Sequence, residues 1–213
     1  VHLARDLVTL PVGALASVLR MPIIVQTHGM IDPTRKAIAR PLDALVTRPV
    51  LRAARRILSL TSREDADLAA VEPRIRVSRI GNAVRPRAKS SDMGEAAHER
   101  TVLFLARLHS RKRPVAFVQM AHILVGRFPD VQFVVAGPDE GQGAIVEEAI
   151  RAAGIEDRVK VIGGLSSDGA AKALSRASVY VLPSENEVFP MTMIEAFSLG
   201  TPVVTTDTLA IAD

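Results

Sequence analysis

From Thr101 onward, short apolar runs rich in Val alternate with stretches of helical period, and this alternation limits the possible fold more than any other feature of the chain. Strands are predicted at Val102–Ala106, Val131–Ala136, Val159–Ile162, Val179–Leu182 and Pro202–Thr205, with helices near Pro114–Arg127, Gly143–Ala153, Asp168–Arg176 and Met191–Leu199. A run that is apolar at successive positions belongs to a strand covered on both faces, and a helix between consecutive strands makes them parallel. The expectation is a parallel sheet between two helical layers. None of the Gly pairs in its strand–helix turns forms G-x-G-x-x-G, so the dinucleotide fingerprint is missing.

The front half carries the same signals more weakly. Residues 7–20 read as a helix and Pro22–Gln26 as a short buried strand. Thr27-His28-Gly29-Met30 follows directly, at the position where open α/β sheets present groups to ligands. A helix is predicted over Ala37–Arg56 from the spacing of Leu42, Leu45, Val46, Val50, Leu51 and Ala54, with Pro41 and Pro49 as interruptions. It leads into a strand at Arg56–Leu60, after which Ser62 is predicted to cap a helix over Arg63–Ala70. Residues 85–99 have no apolar period and are rich in Pro, Ser and charge, as expected of a linker. The predicted organisation is a first domain over 1–84, a linker over 85–99 and a second domain over 100–213.

Composition narrows the function. With 213 residues and 48% apolar content the chain can bury one large core or two small ones. It has no cysteine, hence no disulfide framework and no thiolate metal site, which fits a reducing cytoplasm. No apolar run is long enough to span a bilayer, so a soluble or peripheral cytoplasmic protein is expected. Aromatic residues make up 3%, with no Trp and one Tyr, which argues against a stacking platform for nucleic acid. Residues 1–100 hold 17 Lys and Arg against 10 Asp and Glu, whereas the remainder holds 10 against 13. The basic front is either a solvated face or a surface for peripheral contact with an anionic membrane.

Chemistry concentrates in Pro183–Val204. A helix is expected to start at Pro190, whose missing N–H costs nothing at a first helical position, and to end before Gly200 and Pro202. Free N–H groups of Met191 and Thr192 at that terminus suit an anionic group such as phosphate. Glu187 precedes this point and Glu195 lies roughly one and a half turns beyond it, so each carboxylate is placed to accept hydroxyls on one side of a bound diphosphate. Sugar, diphosphate and ribose in line describe a nucleotide-sugar.

The string P-S-x-x-E-x-F-x-x-x-x-x-E-A-x-x-x-G-x-P-V-V in this stretch resembles the signature of the retaining, nucleotide-sugar-dependent glycosyltransferases of the glycogen-synthase-like superfamily, called family four. The resemblance implies a GT-B fold, an α/β arrangement of two Rossmann-like domains with parallel sheets facing a cleft. Ala106–Pro114 is similar to the family's G-R-x-x-x-x-K-G, which implies that Arg107 and Lys112 neutralise the donor diphosphate together with the amides of Met191 and Thr192. By the same resemblance Glu187 and His28 are catalytic, Glu195 holds the ribose, and Phe189 and Pro190 lie against the donor sugar. His2 resembles the end of the preceding family strand, and Gly163-Gly164-Leu165 the segment near the nucleobase.

Several positions depart from the family pattern. Pro190, Ala106, Arg113 and Ala83 stand where Gly is usual, and Gly81 where Pro is usual. The resemblance further implies a glycan, lipid or small-molecule acceptor, no metal or other cofactor and no nucleic-acid partner, with further chain before Val1 and after Asp213. A noncatalytic nucleotide-sugar-binding protein and a nucleotide-sugar 2-epimerase on the same fold remain as alternatives.

Overall fold

The computed structural model describes residues 1–33, 39–84, 100–185 and 187–209. The predicted linker at 85–99 lies outside the described residues. The chain forms two compact units, one over Val1–Asn82 and one over Ala83–Leu209.

In the first unit, β1 (Ile24–Gln26), β2 (Arg56–Ser59) and β3 (Val77–Arg79) form a parallel sheet in that order. Val1–Leu3 runs beside β1, with the Leu3 N–H donating to the Gln26 carbonyl at 2.8 Å and His2 bridging Gln26 in parallel. Helix α1 (Thr9–Val18) buries Leu10 and Ala16 against a core that includes Leu3, Val25, Val50, Ile57 and Leu68.

The helix expected over Ala37–Arg56 is instead broken into α2 (Ala39–Leu42), a π-helical segment Asp43–Thr47 and α3 (Arg48–Ala53). Pro49 is the cause. It has no N–H to give, and its ring conflicts with the carbonyl four residues earlier. The wider turn relieves this, with the Arg48 N–H reaching back five residues to the Asp43 carbonyl. The next helix, α4, covers Ser62–Val71, and its cap is Thr61 rather than Ser62, with the Thr61 hydroxyl accepting from the Glu64 N–H at 3.2 Å.

The second unit contains β4 (Thr101–Leu105), β5 (Gln132–Ala136), β6 (Val159–Gly163), β7 (Val179–Leu182) and β8 (Val203–Thr205). Between them lie α5 (Pro114–Leu124), α6 (Gly143–Ala153), α7 (Ser167–Arg176) and α8 (Met191–Ser198). The sheet is parallel throughout, in the order β6-β5-β4-β7-β8. Strand β4 shows why both faces are apolar. Phe104 packs on one side with Phe117, Phe133, Val135 and Val146, while Leu103 and Leu105 pack on the other with Leu174, Tyr180, Ala196 and Leu199. Phe117 meets Phe104 and Phe133 at centroid distances of 5.7 and 6.2 Å, tilted and edge-on, the arrangements that ring quadrupoles favour. Among the described residues no helix is long and apolar enough to cross a membrane.

The chain builds outward from β4 toward β6 and then returns to place β7 on the other side of β4. In open parallel sheets the crevice at such a reversal, outside the carboxyl ends of the two strands, is where ligands bind. Two glycines shape this end of the sheet. Gly200 (φ 77°) closes α8, with its N–H on the Phe197 carbonyl at 3.0 Å and the Thr201 N–H on the Ala196 carbonyl at 2.9 Å. Gly137 (φ 150°) lets the turn after β5 pass the end of β4 so closely that a Cβ there would lie 1.8 Å from the Ala106 carbonyl oxygen. Gly137→Ala is therefore expected to cost about 2 kcal/mol or more in urea unfolding, combining the clash with a strained φ. A loss below about 0.5 kcal/mol, the range of ordinary surface substitutions, would contradict this close approach.

Candidate functional site

The segments following β4 and β7 meet at the reversal point of the second sheet. After β4 the chain passes through a 3-10 turn, Ser110–Lys112, into α5; after β7 it passes through Pro183–Pro190 into α8. Lys112 Nζ and Glu187 Oε1 form an ion pair across them, with 17% and 18% of the respective side chains exposed. Arg113 Nη1 meets Glu185 Oε1 at 2.7 Å, and the Glu185 N–H donates to the Arg111 carbonyl at 3.0 Å. Arg113 takes a left-handed conformation (φ 53°), which explains why its family counterpart is Gly. A non-Gly residue pays roughly 1–2 kcal/mol there.

Below these loops Tyr180 is fully buried and its hydroxyl donates to the Leu105 carbonyl at 3.1 Å. The Thr192 hydroxyl lies 2.7 Å from the Tyr180 hydroxyl and, with that proton committed to Leu105, acts as the donor. Burial pushes the phenol pKa upward, and the Glu187 and Glu195 carboxylates add to the shift, so Tyr180 remains a neutral hydrogen-bonding group. The first turn of α8 is thereby tied to the end of β4.

Pro190 is the N-cap of α8 rather than its first helical residue, with φ −75° and ψ 109°, and its carbonyl accepts from the Met193 N–H at 3.1 Å. Pro190 has no side-chain group to cap this terminus, and among the described residues the Met191 and Thr192 amides are its free donors in the first turn. Pro190 is buried and Phe189 half-buried. Glu187 Oε2 is buried without a hydrogen-bond partner among the described residues. Glu195, one turn into α8, lines a cavity of about 280 Å³ with Met191, Ser198, Leu199, Ala171 and the segment Ala83-Val84. Arg107 takes a different acid, with its Nη1 lying 2.9 Å from each carboxylate oxygen of Glu140 in the turn after β5. Thus the structure pairs Lys112 with Glu187, sets Glu195 on the adjoining helix, and gives Arg107 a different acid.

The first unit holds His28 in the turn after β1. His28 is left-handed (φ 49°), as is Gly29 (φ 71°), and the Met30 N–H closes the turn on the Thr27 carbonyl at 2.9 Å. His2 Nδ1 lies 2.6 Å from His28 Nε2 and the rings stack at 4.8 Å between centroids. One ring therefore donates to the other. The turn is held by Glu64, an almost fully buried carboxylate that sequence reasoning passed over. Its Oε1 accepts from the Thr27 hydroxyl and from the Gly29 N–H at 2.7 Å, while Oε2 accepts from the Leu60 N–H at 2.7 Å. The signal was the T-x-x-E spacing of a capping box, Thr61 to Glu64, which here reaches beyond its own helix.

The chain contains one Asp-x-Asp, Asp65-Ala66-Asp67, within α4. Asp65 is engaged by the Ser59 hydroxyl and by Arg79, which together hold its carboxyl below the usual range against the opposing effect of burial. Among the described residues no cluster of three or more His, Asp or Glu is arranged to hold a metal ion.

Parallel α/β units with this strand reversal are doubly wound, and the solved structures on which the chain superimposes make the fold one of GT-B type. The Anabaena protein HepE in complex with UDP and glucose superimposes with a TM-score of 0.77 at 18% identity, covering 96% of this chain and 58% of that one. Sucrose-phosphate synthase from Thermosynechococcus elongatus gives 0.72 at 22% identity, covering 93% and 54%. The chain belongs to the family of glycosyl transferases group 1, whose model matches residues 87–213. A 2-deoxystreptamine N-acetyl-D-glucosaminyltransferase from Niallia circulans is 34% identical over 119 residues, 56% of this chain and 30% of that protein. An alpha-D-kanosaminyltransferase from Streptomyces kanamyceticus is 26% identical over 211 residues, 91% of this chain and 54% of that protein. The chain thus spans about half or less of the length of these curated relatives.

His28 gives the first unit a pH signature. Burial, and secondarily the neighbouring His2, lower its pKa from 6.5, with Glu64 opposing. The unfolded chain then binds the proton more tightly than the folded one, so stability is full above pH 6.5 and falls as pH drops from there toward the folded value. In thermal unfolding from pH 8 to 5, the wild type should lose stability relative to His28→Asn, since Asn tolerates the left-handed backbone but does not titrate. A difference between the two that stays constant across this range would contradict the assignment.

Proposed function

We propose that the protein transfers a sugar from a nucleoside-diphosphate sugar to a glycan, lipid or small-molecule acceptor, with retention at the anomeric carbon as in family four. The observation that carries this reading is the Lys112–Glu187 pair beside an uncapped helix terminus at the sheet's reversal point, with Glu187 Oε2 buried and unpartnered. A hydroxyl of the donor sugar supplies the partner that Oε2 lacks. The diphosphate lies against Lys112, the free edge of Arg107 and the Met191 and Thr192 amides, and the ribose hydroxyls meet Glu195. Phe189 and Pro190 border the sugar.

In the transfer, the bond from the anomeric carbon to the diphosphate breaks and the acceptor oxygen bonds to the same face. The acceptor's proton departs with the diphosphate. Fixed positive charge and helix amides aimed at the leaving oxygens stabilise the charge that develops, so the reaction is written without a divalent ion. His28 contributes to this step. The basic front of the chain suits peripheral contact with an anionic membrane on the cytoplasmic side, where a lipid acceptor is within reach.

A thermal-shift screen of UDP-, GDP- and ADP-sugars identifies the donor, since a ligand at about 100 times its Kd stabilises a fold by about 2.7 kcal/mol. With the labelled donor so found, Lys112→Ala should lower kcat/KM by about 100-fold, the scale for losing one leaving-group donor, and weaken donor binding as well. His28→Ala should lower kcat with donor affinity nearly unchanged. Donor binding without transfer to any acceptor would favour a noncatalytic binding protein. Conversion of the donor sugar without an acceptor would favour the 2-epimerase.

A further inference from the structure

Arg107 and Glu140 form an ion pair with 62% and 36% of the respective side chains exposed. A pair this exposed adds little to stability, yet the backbone that places Glu140 is constrained at every step. The Leu108 N–H donates to the Pro138 carbonyl at 2.8 Å and the Glu140 N–H to the Leu108 carbonyl at 3.1 Å, so the segments after β4 and β5 remain paired beyond the strands. Gly137 permits the contact, as only a residue without Cβ passes the Ala106 carbonyl. Asp139 then accepts from the N–H groups of Gly141, Gln142 and Gly143 at 2.9, 2.9 and 2.8 Å, which fixes the turn that presents Glu140. The result is a carboxylate held against one corner of the guanidinium. Both its oxygens contact Nη1, which leaves the Nε and Nη2 edge, the fork that matches a phosphate.

We propose that Glu140 is a positioning residue for the donor site, holding Arg107 by Nη1 so that its Nε–Nη2 edge is set for the diphosphate. This rests on the reading of Arg107 as a diphosphate ligand. Without Glu140 the long side chain must be ordered by the ligand itself, a cost paid in affinity.

The test is calorimetric titration of UDP into the wild type, Glu140→Ala, Glu140→Gln, Arg107→Ala and the Arg107→Ala/Glu140→Ala double variant, with thermal unfolding of each. Glu140→Ala should weaken UDP binding about three- to tenfold, the scale of ordering one rotamer-rich side chain, with its melting temperature unchanged. Glu140→Gln keeps an acceptor for Nη1 and should bind within about twofold of wild type, a margin below the cost of that ordering. In the Arg107→Ala background the further loss of Glu140 should have no effect, as two residues acting as one unit are non-additive. Glu140→Ala binding as tightly as wild type, or Glu140→Gln losing as much as Glu140→Ala, overturns the proposal while a weakened Arg107→Ala leaves the donor site standing. Arg107→Ala binding UDP as wild type does would remove Arg107 from the donor site and this role for Glu140 with it.

Discussion

The ion pair between Lys112 and Glu187 is the constraint on which the carboxyl end of the second unit's sheet, at β4 and β7, depends. Its partners come from segments 75 residues apart in sequence, each leaving one of the two strands at which the sheet reverses direction. Removing one member of a buried pair strands the other charge, at a cost of about 3–5 kcal/mol when burial is complete. The remaining exposure of 17% and 18% reduces that figure, because water still screens part of each side chain. What the pair secures is geometry. With Arg113–Glu185 beside it and Tyr180 joining Leu105 to Thr192 beneath, the start of α8 is fixed against the end of β4.

Each cation that the segment after β4 carries in these contacts is matched by an acid from a neighbouring loop. Lys112, Arg113 and Arg107 each face a carboxylate, from Glu187, Glu185 and Glu140. Among the described residues Glu187 keeps one oxygen unused, and Arg107 meets Glu140 through Nη1, so both retain hydrogen-bonding capacity. The bare terminus of α8 adds backbone donors that need no countercharge.

Much of the second unit was legible in the sequence because fully buried parallel strands announce themselves as unbroken apolar runs. Val179–Leu182 and Gly143–Ala153 were read to the residue, and the other elements there shift by one to three residues at an end. The order of strands was not legible, since nothing in β7 itself says that it returns to β4 rather than extending from β6. The interruption of the helix over Ala39–Ala53 was marked by Pro49, but its π-helical form was not legible, because apolar spacing survives such a turn. In the candidate site, Lys112 and Glu187 were nominated by motif and brought together by the fold. Glu140 meets Arg107 across 33 residues, through backbone placement that no local pattern encodes, whereas Glu64 carries the local T-x-x-E signal of a cap but not its reach to Thr27 and Gly29.

The most direct measurement is a crystal structure with an intact nucleoside-diphosphate sugar bound. The account predicts the diphosphate within hydrogen-bond distance of Lys112 Nζ and of the Met191 or Thr192 amide, and a sugar hydroxyl on Glu187 Oε2. A donor bound elsewhere, with Glu187 Oε2 still unpartnered and Lys112 engaged only by Glu187, would contradict it.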